Sequence, residues 1–413
     1  MMRRVVVTGI GLVCPLGIGR EAAWAGVVAG TPCAAPITLF DPGESAVRIA
    51  CEATGFEPTD FVDRRVVRRQ DRMTLLALAS ATLGIDDAGL TVDGDDERVG
   101  CVFASGTGGN GVRDENHRTL LERGPDRISP FAIPYSMANI CSAQISMDRG
   151  LRGPVISVNT ACAAGADAVG LASRIIRRGD ADVMVAGGAD AMVTPFWIAA
   201  FDALGVLSHR NDTPESASRP FDTERDGFLM GEAGATLILE EYEHAVGRGA
   251  TIICELAGYG ASADAHHLTD PDPTGEAQAR AMRAAIDDAG LSADTIDYVN
   301  AHGGASQPGD PSEVTAIRRA LGDEVAAGTA VSSTKSMHGH CMGATGAVEA
   351  AITAMAVQAG VIPPTINLTS PDPACTGVDH VVNTARTQPL RAAMTINNGL
   401  GGHNAALVFT PAS

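Results

Sequence analysis

Short runs rich in valine and isoleucine alternate with alanine-rich stretches along this chain, and that alternation narrows the fold more than any other feature. The runs include VVVTGIG, VGCVFASG, VISVNTA, DVMVAGG and ATLILEE. Candidate helices occupy Arg72 to Asp87, the stretch after Cys162, and Glu276 to Ala289. A continuous apolar run has no solvent face, so such strands are buried on both sides. Alternating with helices, they predict an α/β fold with a largely parallel sheet. A second pass begins at ATIICELAGYGASAD and continues through DYVNAHG, TAVSST, a helix after Gly346 and MTINNGLGGHNAALVF. The chain therefore reads as two halves, 1–250 and 251–413, each with a strand leading into a reactive loop. No low-complexity linker separates them, so they are expected to pack closely.

The 413 residues exceed what one small core needs. With aromatics at 4%, the core must be built from valine, isoleucine, leucine and alanine. The 47 glycines lie among apolar runs and mark tight turns rather than disorder. A formal charge of −19 makes nucleic acid and anionic membranes poor partners. Nine cysteines without a CxxC pair fit a reducing cytoplasm better than a disulfide framework. The opening MMRRVVVTGIGLVCPLG imitates a signal peptide, but Gly9, Gly11, Pro15 and Gly17 interrupt it. No apolar stretch reaches the roughly 18 residues of a membrane span.

VISVNTACAAGADAVGLASRIIRRG carries the most chemistry. A strand ends near Asn159, Cys162 follows in a turn of small residues, and a helix begins. Unpaired N–H groups and the positive dipole end at a helix N-terminus favour thiolate, the form that attacks acyl groups. Small neighbours leave room for a thioester. A cysteine also serves as a small buried apolar side chain, and the local sequence leaves both readings open.

NAHGGASQPGDPSE puts His302 at a strand end, and SSTKSMHGHCMGATGAVEAA puts Lys335 and His340 in a glycine-rich loop before a helix. A thiolate accepting an acyl group needs an oxyanion hole. A carbanion formed by loss of CO₂ from a malonyl thioester needs its enolate oxygen stabilised. Two neutral imidazoles donating from Nε2 supply that. Lys335 is expected to fix a histidine and balance charge, with Glu313 and Asp310 as candidate partners. The competing reading of those three is an ordinary ion-pair network.

With these blocks in order, the chain resembles the β-ketoacyl-acyl-carrier-protein synthases of the elongating type and the ketosynthases of type II polyketide systems, over essentially its full length. RRVVVTGIGLVCPLG, NTACAAGADAVG, RPFDTERDGFLMGEAGA, NAHG, SSTKSMHGHCMGATGAVEA and GLGGHNAALVF are the matching blocks. The resemblance implies a thiolase-like fold, two duplicated halves in a five-layer αβαβα sandwich. It implies Cys162 as nucleophile, His302, His340 and Lys335 as its partners, and Phe228 beside the histidines. The oxyanion hole would be the backbone N–H groups of Cys162 and Leu400. It implies no metal or redox cofactor, an acyl carrier protein as partner, and a homodimer or a heterodimer with a chain-length factor.

The chain departs from the family around the acyl path. HGTST is replaced by HGGAS, so Gly304 and Ala305 lack hydroxyls and Ser306 remains to hold the phosphopantetheine arm. The loop FGFGG is replaced by Asn398-Gly399-Leu400-Gly401-Gly402, with leucine where the gating phenylalanine stands, and Thr107 occupies a position often held by isoleucine. These changes point to a specialised type II polyketide pathway, the alternative being ordinary fatty-acid elongation. Tyr135, Met137 and Ile140, in ISPFAIPYSMANICSAQIS, are expected to line the partner subunit's acyl pocket, and Thr107 and Asn398 are further candidate acyl-pocket residues. Arg64, Arg65, Arg68, Arg69 and Arg72 form a candidate docking patch for an acidic carrier.

Other signals carry less. GTGGNG is a literal GxGxxG, but no ribose-binding acid accompanies it. HGH and the adjacent His266 and His267 lack a zinc spacing. A chain-length factor lacks the nucleophile. A biosynthetic thiolase keeps a second cysteine near its C-terminus, where this chain has His403.

Overall fold

The computed structural model describes residues 3–92 and 96–412. Its main strands are β1 (Val5–Cys14), β2 (Val99–Ala104), β3 (Val155–Val158), β4 (Val183–Ala191), β5 (Glu232–Glu241), β6 (Cys254–Ala263), β7 (Ile296–Asn300), β8 (Ala330–Ser332), β9 (Asp379–His380), β10 (Ala392–Gly399) and β11 (His403–Thr410). The helices that matter here are α1 (Arg72–Asp87), α2 (Ile140–Arg149), α3 (Ala164–Arg178), α4 (Glu276–Asp288), α5 (Gly309–Leu321) and α6 (Thr345–Ala359).

The strands run in the order β9-β8-β7-β10-β11-β6-β1-β5-β4-β2-β3. The path β3-β2-β4-β5-β1 recurs as β8-β7-β10-β11-β6, with the same sense at each pairing. The sheet is mixed rather than largely parallel. Pairs β2–β3, β2–β4, β7–β8, β7–β10 and β8–β9 are parallel, and the middle is antiparallel. The β10–β11 turn shows one cause: its three residues are too few for the crossover a parallel pair requires.

Helices α1 and α2 cover one outer face, α4 and α5 the other, and α3 and α6 lie between the strand sets. This is the expected αβαβα layering. Local sequence explains the close layers. A Cβ on Gly11 would lie 1.9 Å from Ser80 O, and one on Gly9 would lie 2.3 Å from Gly84 O, so the glycines of VVVTGIG let α1 rest on β1. The central helices touch by reciprocal glycines. A Cβ on Gly165 would lie 2.5 Å from Ala347 N, and one on Gly346 would lie 2.3 Å from Ala166 N. Those small residues after Cys162 thus serve the helix crossing rather than a substrate.

β3 departs from the expected double burial. Val155 and Ile156 are 39% and 42% exposed, because β3 is the sheet edge and, among the described residues, pairs only with β2. Among the described residues no helix is long and apolar enough to cross a membrane.

Candidate active site

Cys162 sits in the single 3₁₀ turn Ala161–Ala163 that runs into α3. Ala161 is forced to φ 53°, a strained value for a residue with a Cβ. The β10–β11 turn lies against this kink. A Cβ on Gly399 would fall 2.7 Å from Thr160 O and 3.1 Å from Cys162 N. The thiol is buried, and burial pushes it up to about 11 against the opposing backbone N–H of Leu400 and the charge of Lys335. The helix start favours thiolate but does not prevail here. Loss of water around Sγ outweighs the N–H groups that stabilise the anion.

His302 and His340 face the same cavity, of about 140 Å³, as Cys162. Their rings are 5.3 Å apart and nearly perpendicular. The Asn398 backbone N–H donates to His302 Nδ1 at 3.3 Å, and the Met342 N–H donates to His340 Nδ1 at 3.2 Å. Thr345 Oγ1 lies 2.9 Å from the same His340 nitrogen. With both Nδ1 atoms accepting, each neutral ring carries its proton on Nε2. Burial first, then the Lys335 charge, holds both imidazoles well below the usual histidine range. The rings are therefore neutral donors at pH 7.

Local structure explains why the histidines are held. Glu313, on α5, accepts from His302 N at 2.5 Å and Gly303 N at 2.7 Å. The RPFDTERDGFLMGEAGA block braces the second histidine: His340 N donates to Leu229 O, and Gly231 N donates to His340 O. Phe228 sets its ring 5.1 Å from that of His340, with Phe201 5.9 Å beyond. Arg225, which sequence reasoning passed over, clamps the loop after His302 by donating to Ser306 O at 2.9 Å and Gln307 O at 3.0 Å.

Lys335 does not pair with Glu313 or Asp310. Its Nζ lies 2.6 Å from Glu349 Oε1, both side chains being at most 1% exposed, and Asn397 Nδ2 donates to Glu349 Oε2 at 2.6 Å. Glu313 is spent on the His302 backbone. Asp310 accepts from Phe221 N at 2.8 Å and Ser306 N at 3.2 Å, with Arg225 3.6 Å away. Glu349 had a signal, as the lone charge of the otherwise uncharged α6. Buried Asp190 was also missed. It accepts from Ser105 Oγ, Gly106 N and Gly343 N and ties the two glycine loops together.

Gly304, Ser306, Asn398 and Leu400 line the cavity. Ser306 Oγ accepts from Gly309 N at 2.9 Å. Thr107, Tyr135, Met137 and Ile140 are absent from its wall within one chain. Thr107 accepts from Asn110 Nδ2, Tyr135 stacks on Phe131 at 5.4 Å, Met137 is exposed and Ile140 is in the core. Arg64, Arg65, Arg68 and Arg69 are exposed, but Arg72 is withdrawn from that patch by Glu232 at 2.6 Å.

The family model for the β-ketoacyl synthase N-terminal domain matches residues 2–245, and that for the C-terminal domain matches residues 253–369. A 3-oxoacyl-[acyl-carrier-protein] synthase 2 of Vibrio cholerae is 43% identical over 409 residues, covering 98% of this chain and 99% of the relative. One from Synechocystis is 42% identical over 408 residues, covering 98% of each. Among solved structures, a β-ketoacyl synthase of Burkholderia phymatum aligns over all of both chains with a TM-score of 0.92 at 37% identity. A type II polyketide ketosynthase bound to a hexaketide, in complex with its acyl-carrier protein, aligns as fully with a TM-score of 0.91 at 32% identity. The sandwich is the thiolase-like fold.

Proposed function

The chain belongs to the β-ketoacyl synthase family and is an acyltransferase, and on that premise we propose that it joins an acyl group held on Cys162 to malonyl-acyl-carrier-protein, lengthening a fatty acyl chain by two carbons. One observation carries this reading: a thiol and two imidazoles carrying Nε2–H open into a single cavity, with the Leu400 N–H directed at Sγ. In the first half-reaction Cys162 Sγ attacks the acyl thioester carbonyl. The carrier thiol leaves with the proton that Cys162 gives up, and the Cys162 and Leu400 N–H groups hold the oxyanion. In the second, the malonyl C–CO₂ bond breaks, and the electron pair enters an enolate whose oxygen accepts from His302 and His340. The carbanion attacks the acyl-Cys162 carbonyl, the C–S bond breaks, and the released thiolate takes a proton from water. The reaction balances without a metal or redox cofactor.

Fatty-acid elongation is the better supported pathway, because the curated relatives are named 3-oxoacyl-[acyl-carrier-protein] synthase 2. A specialised polyketide role rested on Leu400, Thr107 and the HGGAS loop, and Thr107 lies outside the cavity of the single chain. The carrier would dock at Arg64, Arg65, Arg68 and Arg69. A second ketosynthase subunit would cover the exposed edge strand β3.

The test offers acyl carrier proteins bearing saturated, unsaturated and β-keto chains, and reads Cys162 acylation and malonyl-dependent extension by mass spectrometry. Saturated chains are expected to be extended fastest, and Cys162→Ala to take no acyl group. Undiminished acylation of Cys162→Ala overturns the nucleophile, and extension confined to β-keto chains overturns the fatty-acid reading.

A further inference from the structure

The cavity lining mixes apolar and polar side chains. Phe201, Leu204, Val206, Phe228 and Met342 are among the apolar ones, and Asp264, Thr269, Asp270, Gln278, Ser306 and Asn404 among the polar ones. Most of the acceptors are already engaged. Asp264 accepts from Asn404 Nδ2 at 2.6 Å and Asp272 N at 3.0 Å. The oxygens of Asp310 and Glu313 take backbone N–H groups, and Ser306 Oγ takes Gly309 N.

Gln278 differs. It is 2% exposed on the first turn of α4, and its Nε2 makes one long contact of 3.4 Å to Ser312 Oγ. Its Oε1 has no hydrogen-bond partner, and among the described residues it is the only cavity-lining side chain with a buried polar atom so left. Folded proteins pair nearly all such atoms, and an exception beside a cavity points to a group that arrives from outside. The same lining includes the buried Cys162 and the exposed Asp270. A thioester that reaches Cys162 brings its arm into this cavity. The phosphopantetheine arm has amide N–H donors, and the HGGAS loop, which also lines the cavity, has no hydroxyl at Gly304 or Ala305.

We propose that Gln278 positions the arm: its Oε1 accepts a hydrogen bond from an arm amide N–H while the thioester carbonyl sits at Cys162. This rests on the condensation reading given above. The experiment compares second-order rate constants for acylation of Cys162 by the same acyl group carried on pantetheine, which has amides, and on 2-mercaptoethanol, which has none. Gln278→Met removes the acceptor at similar volume, and the pantetheine-to-mercaptoethanol ratio is expected to fall about tenfold, the worth of one hydrogen bond. Gln278→Glu keeps an acceptor oxygen and is expected to recover most of the ratio. Because the ratio is internal to each variant, a partly unfolded sample does not alter it. A ratio for Gln278→Met within about twofold of wild type, or no recovery in Gln278→Glu, overturns the proposal. Wild-type protein that is acylated with this preference but makes no β-keto product from malonyl carrier overturns the condensation reading alone. Wild-type protein acylated by neither donor overturns both.

Discussion

Glu349→Leu is expected to destabilise this protein sharply at pH 8, and a second substitution to restore most of the loss. Burial pushes the Glu349 carboxyl up to about 7, so at pH 8 it is largely ionised beside the Lys335 ammonium. The pair is 2.6 Å apart, with side chains 1% and 0% exposed. Removing the carboxylate strands a cation where water cannot reach it, a loss of about 3–5 kcal/mol. For 413 residues an unfolding entropy of about 2.1 cal/mol/K per residue sums to about 0.9 kcal/mol/K. The melting temperature is therefore expected to drop by about 3–6 °C. Lys335→Met combined with Glu349→Leu removes both charges and fills the site with apolar atoms. Replacement of a whole buried pair is often neutral, so the double variant is expected to regain most of the loss. Asn397, which loses its partner either way, keeps the recovery incomplete. Calorimetry of wild type, both single variants and the double closes the cycle. A Glu349→Leu loss under about 1 kcal/mol, or a double variant no more stable than that single, refutes the buried-charge reasoning.

Alkylation of Cys162 by iodoacetamide, followed by peptide mass spectrometry, is expected to speed up about tenfold per pH unit from pH 7 to 9, since the thiol lies at about 11 and only thiolate reacts. A plateau near pH 7 would instead mark a standing thiolate. Thermal stability is expected to fall as pH rises from 6.5 to 8. Asp190 and Glu349 are pushed up to about 7 and Glu313 to about 8, each mainly by burial, while the unfolded chain has lost those protons near pH 4. The folded form thus holds more protons in this window, and its advantage shrinks as they leave. The buried histidines oppose this trend around and below their unfolded value of about 6.5 and fade above about pH 7.5, so a melting temperature that is flat or rises between about pH 7.5 and 8 contradicts the burial argument.

Much of this molecule is legible along the chain because its signals are local. Apolar runs mark the strands. The tight turn before an alanine-rich helix marks Cys162, and glycine-rich loops at strand ends mark His302 and His340. Each depends on a few consecutive residues, and the structure brings all three side chains to one cavity. Glu349 lies fourteen positions after its partner Lys335, in a helix whose composition predicts only burial. Arg225 reaches Ser306 across eighty-one residues. The expected link of Lys335 to Glu313 and Asp310 failed because both carboxylates are taken by backbone N–H groups of other segments, an engagement no local signal shows.

By itself, then, the sequence determined which groups this protein can bring to a reaction and in which local elements they stand, because backbone preference and side-chain chemistry act over a few residues. Tertiary structure decided which charges meet, which glycines are spent on helix crossings, and how each group titrates. Those properties follow from distance and water exclusion. The clearest case is Cys162: its helix-start position favours thiolate, yet enclosure by β10 and the central helices withdraws water and raises the thiol instead.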